Sequence, residues 1–318
     1  MTRRTLVAAG LTLAALCPFV TVAGAQDYPV KTITLVTHSS PGAGGDIFLR
    51  DLSRFLGPAL GANVVVENIS GGSGATAVAR VANSRPDGSV FYGTTPTFIY
   101  TTLLSEPEFG YDSLDPLVNV FFDPEVLYTA ATGPFQSLED VMTKAREGRG
   151  QWGAANPASL ERQSLEMLKS VSGVNAAVVS HDGGGDMMIN VLNGTLDMGV
   201  GEIQELKGQL EAGEIRLLAA LTADRIPGYD DLPTVREAGY DVAVRKFRGI
   251  AAPKGLPPEV VAAWEAAIPR VLEDPEFKAI YEPDSLQPAF LDDEEYSQFI
   301  DGFAADTRSF LIETGVIQ

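Results

Sequence analysis

The sequence predicts a two-domain α/β protein, and three observations support this fold class. Segments with the alternation of a strand and segments with the spacing of a helix follow one another along the chain. From Gln26 to Gln318 the chain is longer than one hydrophobic core usually holds. Loops rich in glycine, serine and threonine end three successive predicted strands, and ligands bind at such strand ends in open α/β sheets.

The first of these loops, residues 39–46, lies between a strand and a helix. Residues 32–37 before it alternate and are rich in β-branched side chains, and apolar residues recur at helical spacing from Ile47, so a helix begins near Asp46. A glycine-rich turn at a helix start leaves backbone N–H groups free, and the helix dipole favours an anion there. We therefore predict an anion site formed by Ser39, Ser40, Pro41, Gly42, Ala43, Gly44, Gly45 and Asp46.

This loop does not match the nucleotide-binding patterns. A dinucleotide fingerprint needs a small residue three places after Gly44, where Ile47 stands, and no Gly-Lys-Ser/Thr triplet follows for a phosphate loop. The Asp46 carboxylate would also repel a phosphate. The alternative interpretation is a turn that only connects a strand to a helix.

Residues 1–25 are predicted to be an export signal. Arg3 and Arg4 form a basic start, residues 6–22 an apolar run, and residues 23–25 a small-residue cleavage site. A retained membrane anchor is the alternative. Leu16 is bulkier than the residue that lipoprotein processing prefers before a cysteine, so Cys17, the single cysteine, leaves with the signal and the mature chain has no thiol chemistry.

The acidic excess excludes two kinds of partner. Loss of Arg3 and Arg4 leaves 21 basic residues against 42 acidic ones, a net charge of −21. This charge argues against nucleic acid and against an anionic membrane surface. Backbone amides in a cleft can still bind an anion, because salt screens the surface field within about 8–10 Å.

Two further loops follow predicted strands at residues 63–67 and 89–93. The first contains the near-miss Gly72-x-Gly74-x-x-Ala77 of a dinucleotide motif, and Ser73 stands in a sequence close to a nucleophile elbow. An α/β hydrolase using Ser73 is therefore an alternative, and its base would be one of the two histidines, His38 or His181. As ligand contacts we predict Asn68, Ser70, Ser73, Thr94 and Thr95.

An ordered set of motifs along the whole mature chain resembles one family, the periplasmic solute-binding proteins of tripartite tricarboxylate transporters, also called the Bug family. The matching segments are Tyr28-Pro29-Val30-Lys31, Pro41-Gly42-Ala43-Gly44-Gly45-Asp46, Val65-Val66-Glu67-Asn68, Arg85-Pro86-Asp87-Gly88, Trp152-Gly153-Ala154-Ala155-Asn156, Asn193-Gly194-Thr195-Leu196-Asp197-Met198 and Phe247-Arg248-Gly249-Ile250.

The resemblance implies a type II-like periplasmic-binding-protein fold, with a ligand cleft between two doubly wound domains that close on a small carboxylate. The chain would cross between the domains near residues 123–129 and return near residues 242–247. We therefore expect a first domain made of residues 26–124 and 246–318, and a second domain of residues 125–245. Trp152 and Phe247 are expected in the core near the hinge.

The predicted second domain repeats the plan of strand, polar loop and helix, so its loops should face the same cleft. Its expected ligand contacts are Asn156, Ser159, His181, Asp182 and Gly183. Where relatives commonly carry Tyr-Lys-Gly, this chain has His181-Asp182-Gly183, which changes the local charge and disfavours a tricarboxylate. The two histidines could bracket a metal, but the ligand set is incomplete and we expect none.

We therefore expect an exported, monomeric binding protein of the periplasm, with no catalytic residues and no cofactor. Its partners would be a small carboxylate and the membrane permease subunits of a tripartite tricarboxylate transporter. A sensor that presents its ligand-bound surface to a receptor kinase is the remaining alternative.

Overall fold

The computed structural model describes residues 28–181 and 183–318, which form two β-sheets flanked by helices. The predicted export signal and Asp182 lie outside the described residues. No helix within the described ranges is long and apolar enough to cross a membrane.

The amino-terminal part builds most of the first sheet. Its elements are β1 (Thr32–Thr37), α1 (Gly44–Leu60), β2 (Asn63–Asn68), α2 (Ala75–Ala82), β3 (Val90–Thr94), α3 (Pro96–Ser105) and β4 (Leu114–Asp123). The first three strands lie where the sequence predicts them, because each is apolar or β-branched and ends at a polar loop.

The middle part builds the second sheet. Its elements are β5 (Glu125–Ala130), α4 (Leu138–Arg146), β6 (Gln151–Ala154), α5 (Leu160–Ser172), β7 (Ala177–Ser180), α6 (Gly184–Leu192), β8 (Met198–Glu202), α7 (Ile203–Glu211) and β9 (Ile215–Ala220). The carboxy-terminal part returns to the first sheet with β10 (Lys246–Pro253), α8 (Pro258–Leu272), α9 (Pro275–Tyr281), β11 (Gln287–Leu291) and α10 (Asp293–Glu313).

Both sheets are mixed rather than purely parallel. The first has the order β11-β4-β10-β3-β1-β2, in which β1 is parallel to β2 and β3 while β10 is antiparallel to β3 and β4. The second has the order β7-β6-β8-β5-β9, in which β6 is parallel to β7 and β8 while β5 is antiparallel to its neighbours. The expectation of an open parallel sheet holds for β1–β3 and for β6–β8, whereas β10 and β5, at the places where the chain changes sheets, run antiparallel to their neighbours.

The chain changes sheets at two places. Pro124 alone separates β4 from β5, and residues 221–245 connect β9 to β10. The carboxyl ends of β1, β2 and β3 and those of β6 and β7 carry the polar loops, as expected for parallel strands followed by helices, and β8 leads directly into α7. These loops face one cavity between the two sheets.

Each sheet has its own apolar core. Trp264 packs on Phe91 behind the first sheet, and Trp152 is fully buried behind the second. Phe247, at the start of β10, is fully buried among Phe98, Tyr296, Phe299 and Phe303. Trp152 and Phe247 are therefore core residues, as predicted.

Candidate functional site

A cavity of about 540 Å³ lies between the two sheets and is the candidate ligand site. Loops from both sheets line it, and so do Lys246 and Arg248, where the chain returns to the first sheet. The lining consists of His38, Ser39, Ser40, Ala43, Gly44, Gly45, Ser70, Gly71, Gly72, Ser73, Gly74, Thr95, Thr97, Ala155, Asn156, Pro157, Glu161, His181, Gly183, Gly184, Glu202, Glu205, Lys246 and Arg248. This volume is in the range of small-molecule sites.

The glycine loop supplies free backbone donors to this cavity. Helix α1 begins at Gly44, two residues before the predicted start. The N–H groups of Gly44 and Gly45 have no hydrogen-bond acceptor among the described residues. A Cβ on Gly44 would lie 2.6 Å from Nη2 of Arg248, and one on Gly45 would overlap Oγ of Ser39. Both positions therefore need glycine, and a guanidinium group lies next to the free amides.

The Asp46 carboxylate fixes the loop instead of lining the cavity. It accepts hydrogen bonds from the Gly42 N–H at 2.9 Å, from Nε of Arg50 at 2.9 Å and from Nδ2 of Asn68 at 2.8 Å. Burial alone would raise the pKa of Asp46, but the hydrogen bonds from Arg50, Gly42 and Asn68 outweigh it and hold the pKa below its ordinary value. Asn68 also donates to the Ser39 carbonyl at 2.9 Å.

Four residues proposed from the sequence therefore belong to the frame of the first two loops, outside the cavity lining. They are Pro41, Gly42, Asp46 and Asn68. Thr94 also lies outside the lining, because its hydroxyl is buried and shares a 2.6 Å hydrogen bond with the hydroxyl of Tyr296. Thr95 does line the cavity and caps α3 by accepting from the Thr97 N–H.

The second glycine loop presents Ser70 and Ser73 to the cavity. Its backbone has positive φ at Gly71, Gly72, Ser73 and Gly74. The Ser73 carbonyl accepts a hydrogen bond from the Thr101 hydroxyl at 2.6 Å, which holds this turn against α3. The loop thus adds two hydroxyl groups beside the glycine loop.

His38 forms the wall between these two loops. Its Nδ1 lies 2.7 Å from the Tyr92 hydroxyl. Burial, and then the charges of Arg248 and Lys246, lower the pKa of His38 to about 4, so the ring is neutral at neutral pH. The Tyr92 hydroxyl has no other hydrogen-bond partner in the described part of the chain, so we assign it as the donor and place the ring proton on Nε2.

Seven ionisable groups between the two sheets form what we call the charged cluster, and all of them except the half-buried Glu205 are buried. Its members are Asp123 on β4, Glu125 on β5, Glu161 on α5, Glu202 on β8, Glu205 on α7, and Lys246 and Arg248 on β10. Glu161, Glu202, Glu205, Lys246 and Arg248 also line the cavity. The cluster therefore joins the ligand site to both chain crossings.

Lys246 and Arg248 connect the two sheets. Nζ of Lys246 donates to Glu125 at 2.7 Å, to Glu161 at 2.8 Å and to Glu202. Arg248 donates from Nε to Asp123 at 2.8 Å and from Nη2 to Glu202 at 2.6 Å. Because β10 belongs to the first sheet while Glu125 and Glu202 belong to the second, the bonds to these two residues cross between the sheets, whereas the bond from Arg248 to Asp123 stays within the first sheet.

The carboxyl groups of the cluster differ in their pKa values, because burial dominates at some of them and the neighbouring cations dominate at Glu202. Burial raises the pKa of Asp123 to about 6 against the opposing charge of Arg248. Burial also raises the pKa values of Glu125 and Glu205 well above the ordinary range. For Glu202 the same burial is outweighed by Lys246 and Arg248, which hold its pKa below the ordinary value. Glu202 is thus the carboxylate that the two cations share.

The cluster is not a metal site, although three of its carboxyl groups converge. Oxygens of Glu125, Glu161 and Glu202 lie within 4.8 Å of one another. The ammonium of Lys246 bonds to all three and occupies the place that a cation would take. The three carboxylates outweigh burial and hold the pKa of Lys246 well above its ordinary value, so it stays charged.

The second sheet contributes only part of its predicted contacts. Asn156, His181 and Gly183 line the cavity. Ser159 is fully buried, and its hydroxyl donates to the Asn156 carbonyl at 2.9 Å and accepts from the Arg162 N–H at 3.1 Å, so it caps α5. Asp182, on which the predicted charge change depends, lies outside the described residues.

Sequence reasoning did not identify the charged cluster as part of the site. The sequence places Lys246 in the return crossing and Arg248 in a segment that resembles the family, and it assigns neither a role in the site. An available signal was the alternation of Lys246 and Arg248 with apolar residues in a buried strand, since charged residues inside a strand need partners.

Comparison with known proteins agrees with this architecture. The family described as the tripartite tricarboxylate transporter family receptor matches residues 48–315. Protein BugT of Bordetella pertussis is 26% identical over 272 residues, covering 83% of this chain and 82% of BugT. A UPF0065 protein of Bordetella bronchiseptica is 26% identical over 284 residues, covering 88% of this chain and 84% of that protein.

Solved structures share the fold over nearly their whole length. The R. palustris protein Rpa4515, solved with adipate, superposes with a TM-score of 0.85 at 26% identity and covers 91% of this chain and 99% of its own. The periplasmic binding protein BugD superposes with a TM-score of 0.84 at 23% identity and the same coverage. The two-domain periplasmic-binding-protein fold is thereby confirmed, and the chain belongs to the tripartite tricarboxylate transporter receptor family.

Proposed function

We propose that this protein is a periplasmic receptor that holds a small carboxylate in the cavity between its sheets. The observation that carries the proposal is the start of α1, where the free N–H groups of Gly44 and Gly45 face the cavity beside the Arg248 guanidinium. A helix start with free amides favours an anion, and a neighbouring cation strengthens that preference.

Hydroxyl and imidazole groups around the glycine loop would complete the carboxylate site. Ser39, Ser40, Ser70, Ser73 and Thr95 all line this part of the cavity. In our assignment His38 offers an uncharged N–H, which suits an oxygen ligand at any pH above about 4. The adipate that accompanies the related Rpa4515 structure supports a carboxylate as the ligand class.

Binding would close the two domains about the crossings at Pro124 and residues 221–245. The closed form would then engage the membrane permease subunits of a tripartite tricarboxylate transporter, the partners that the family description indicates. We place the mature protein in the periplasm as a monomer, after removal of residues 1–25. Amino-terminal sequencing of protein from a periplasmic extract should begin at Gln26.

A thermal-shift screen over mono-, di- and tricarboxylates tests the ligand class, with the primary amide of each acid as its uncharged control. An acid at about one hundred times its dissociation constant should raise the unfolding free energy by about 2.7 kcal/mol, while its amide should not. Stabilisation by sugars or by amides, with none by any carboxylate, would contradict the proposal. A fall in the radius of gyration on adding the best acid would support closure.

We propose no catalytic step for this cavity. In our assignment Tyr92 occupies Nδ1 of His38 and the ring proton is on Nε2, so neither nitrogen of His38 is free to take the proton of Ser73, as the hydrolase alternative with this base would need. Incubation with p-nitrophenyl esters should give no turnover above that of Ser73→Ala. If the wild-type protein hydrolyses an ester and Ser73→Ala does not, the protein is a hydrolase and the receptor assignment is wrong.

A further inference from the structure

The corner between β8 and α7 brings the second sheet into contact with the glycine loop. Helix α7 follows β8 without a connecting loop, so the second sheet holds the residues of this corner in place. Two of them reach Gly44. A Cβ placed on Gly44 would lie 3.2 Å from the Glu202 carboxyl carbon, and Nε2 of Gln204 donates to the Gly44 carbonyl at 3.4 Å. The corner therefore lies directly against the start of α1.

Gln204 is buried although its side chain is polar. Its Nε2 also donates to Oδ2 of Asp123 at 3.2 Å, and Asp123 accepts from Nε of Arg248 at 2.8 Å. The side-chain amide thus lies between the last residue of β4 and the first residue of α1, both on the first-sheet side. Because buried polar groups need hydrogen-bond partners, the position of Gln204 depends on both sheets.

The Gly44 carbonyl and the Gly45 N–H belong to one peptide unit. A peptide bond is planar, so a contact that orients its carbonyl also orients its N–H. A donor on the carbonyl polarises the unit and makes the N–H a stronger donor. The Gly45 N–H has no acceptor among the described residues, and Gly45 lines the cavity. Gln204 does not line the cavity, yet it acts on an amide that a bound carboxylate would meet.

An ion pair holds the same face of α7 against the first sheet. Lys207 lies one turn after Gln204, and its Nζ donates to Oδ1 of Asp284 at 2.8 Å. Asp284 is buried between α9 and β11, so this contact also joins the two sheets. The Lys207 side chain is 40% exposed, and we therefore expect the pair to contribute less than a buried one.

We propose that Gln204 is a positioning residue of the carboxylate site, through which the approach of the second sheet orients the Gly45 N–H. This inference rests on the function proposed above and adds a residue to it. When the sheets come together, Gln204 meets the Gly44 carbonyl and holds the peptide unit in its binding orientation. When they separate, the contact is lost and the carboxylate dissociates more readily. The ion pair of Lys207 with Asp284 keeps α7 in the position that Gln204 needs.

An NMR signal specific to this peptide unit tests the contact. In protein labelled with [1-¹³C,¹⁵N]glycine, correlation of each amide with the preceding carbonyl detects only the Gly-Gly pairs, which are Gly44-Gly45, Gly71-Gly72, Gly183-Gly184 and Gly184-Gly185. Gln204→Met keeps the side-chain length and removes the donor. We expect it to shift the Gly44-Gly45 signal and to leave the Gly71-Gly72 signal in place. Gln209→Met, five residues on and on another face of α7, should shift neither.

Binding kinetics test whether the contact positions the donor. Stopped-flow fluorescence with acetate, succinate, adipate and citrate as probes separates association from dissociation. Gln204→Met should raise the dissociation rate of the tightest of these acids by about three- to tenfold. Its association rate should stay within about twofold, because the contact forms only as the sheets approach. Gln209→Met should change neither rate.

Exchange of the Lys207 and Asp284 charges tests the coupling with Gln204 left in place. Lys207→Glu and Asp284→Lys should each raise the dissociation rate of the same acid by about two- to fivefold, and the double variant should restore it. Arg225 and Glu237 form the matched control, because their ion pair lies within the segment that connects β9 to β10. Exchange of these two charges should leave the dissociation rate unchanged.

A Gly44-Gly45 signal that Gln204→Met leaves in place, both with and without the bound acid, would overturn the proposal. A shifted signal with an unchanged dissociation rate would overturn it as well. If Gln204→Met folds poorly, the charge exchange decides the question, and unchanged dissociation in both single variants would mean that α7 does not couple the sheets to the site. Loss of the coupling alone leaves the acids bound, whereas failure of all four acids to bind the unmodified protein would overturn the proposed function.

Discussion

In the glycine loop one buried carboxylate is surrounded by donors, whereas at the domain crossings five carboxyl groups share two cations. Asp46 accepts from Gly42, Arg50 and Asn68, and its pKa lies below the ordinary value. The charged cluster instead has raised pKa values at Asp123, Glu125 and Glu205.

This difference separates a rigid part of the site from a responsive one. The hydrogen bonds of Asp46 lie within the first sheet and its loops. They therefore hold the conformation of the glycine loop independently of the position of the second sheet. The ion pairs of Lys246 with Glu125 and Glu202, and that of Arg248 with Glu202, cross between the sheets, so domain position acts on them. One region presents the donors, and in the other the ion pairs link the two sheets.

The largest expected effect comes from removing the central cation of the cluster. Lys246→Met leaves Glu125, Glu161 and Glu202 without their shared ammonium, and breaking a buried ion pair from one side costs about 3–5 kcal/mol. We expect a loss of this size in the unfolding free energy at pH 7, measured by urea denaturation. Lys254→Met, at an exposed position, should change it by less than about 0.5 kcal/mol. A loss below about 1 kcal/mol would mean that the cluster has little part in folding.

The second expected effect concerns the place where the two regions meet. In Gly44→Ala the new Cβ would lie 2.6 Å from Nη2 of Arg248 and 3.2 Å from the Glu202 carboxyl carbon. We expect a loss of about 1–3 kcal/mol in unfolding free energy and weaker carboxylate binding, because the guanidinium must move.

Gly185→Ala is the matched control for that change. Nothing lies within 4 Å of a Cβ at Gly185, and the position is helical, so the unfolding free energy of the variant should rise by up to about 1 kcal/mol. Equal effects of the two substitutions on stability and on binding would show that the contact between Gly44 and Arg248 is unimportant.

The third expected effect is an opposite pH dependence of two Asp→Asn variants. The folded pKa of Asp123 is raised to about 6, so the folded state binds more protons than the unfolded state between about pH 4 and 6. Stability contributed by Asp123 therefore falls as pH rises through this window. The difference in unfolding free energy between wild type and Asp123→Asn should shrink from pH 4 to pH 6.

Asp46→Asn should show the reverse sign. The folded pKa of Asp46 is lowered, so its contribution is fully present above the unfolded pKa and is lost as pH falls through the folded value. The difference between wild type and Asp46→Asn should stay constant above about pH 4 and shrink below it. Urea unfolding across pH 3–7 measures both differences in unfolding free energy. If the two differences change with pH in the same direction, the distinction between the two regions is wrong.

The rigid region was largely predictable from the sequence, because its signals are local. A β-branched strand, a glycine run and a helical apolar pattern lie within about thirty residues, and β1 has the predicted bounds. Local pattern could not show which polar side chains serve the frame. The role of Thr94 depends on Tyr296, about two hundred positions away, and appears only in the packed structure.

The responsive region could not be predicted because its members are far apart in the chain. Lys246 meets Glu125 from 121 positions away and Glu161 from 85 positions away. Only the pairing of β10 with β4, and of β5 with β8, brings these charges together. One sequence carries no information on such pairings beyond the presence of charges within apolar strands.

The smallest expected effect comes from Tyr92→Phe, which acts on the orientation of a donor in the rigid region. The Tyr92 hydroxyl bonds to Nδ1 of His38 at 2.7 Å and, in our assignment, keeps the ring proton on Nε2. Loss of one hydrogen bond should cost about 1 kcal/mol of unfolding free energy and weaken carboxylate binding by less than about tenfold. The ¹⁵N chemical shifts of His38 should change from a single tautomer to a mixture, without protonation above pH 5, because its pKa is lowered to about 4 chiefly by burial. Tyr100→Phe removes another buried hydroxyl, one bonded to Thr307, and should cost similar stability while leaving the His38 shifts and the binding unchanged. If the His38 shifts stay the same in Tyr92→Phe, then Tyr92 does not set the tautomer and His38 takes its orientation from the surrounding loops alone.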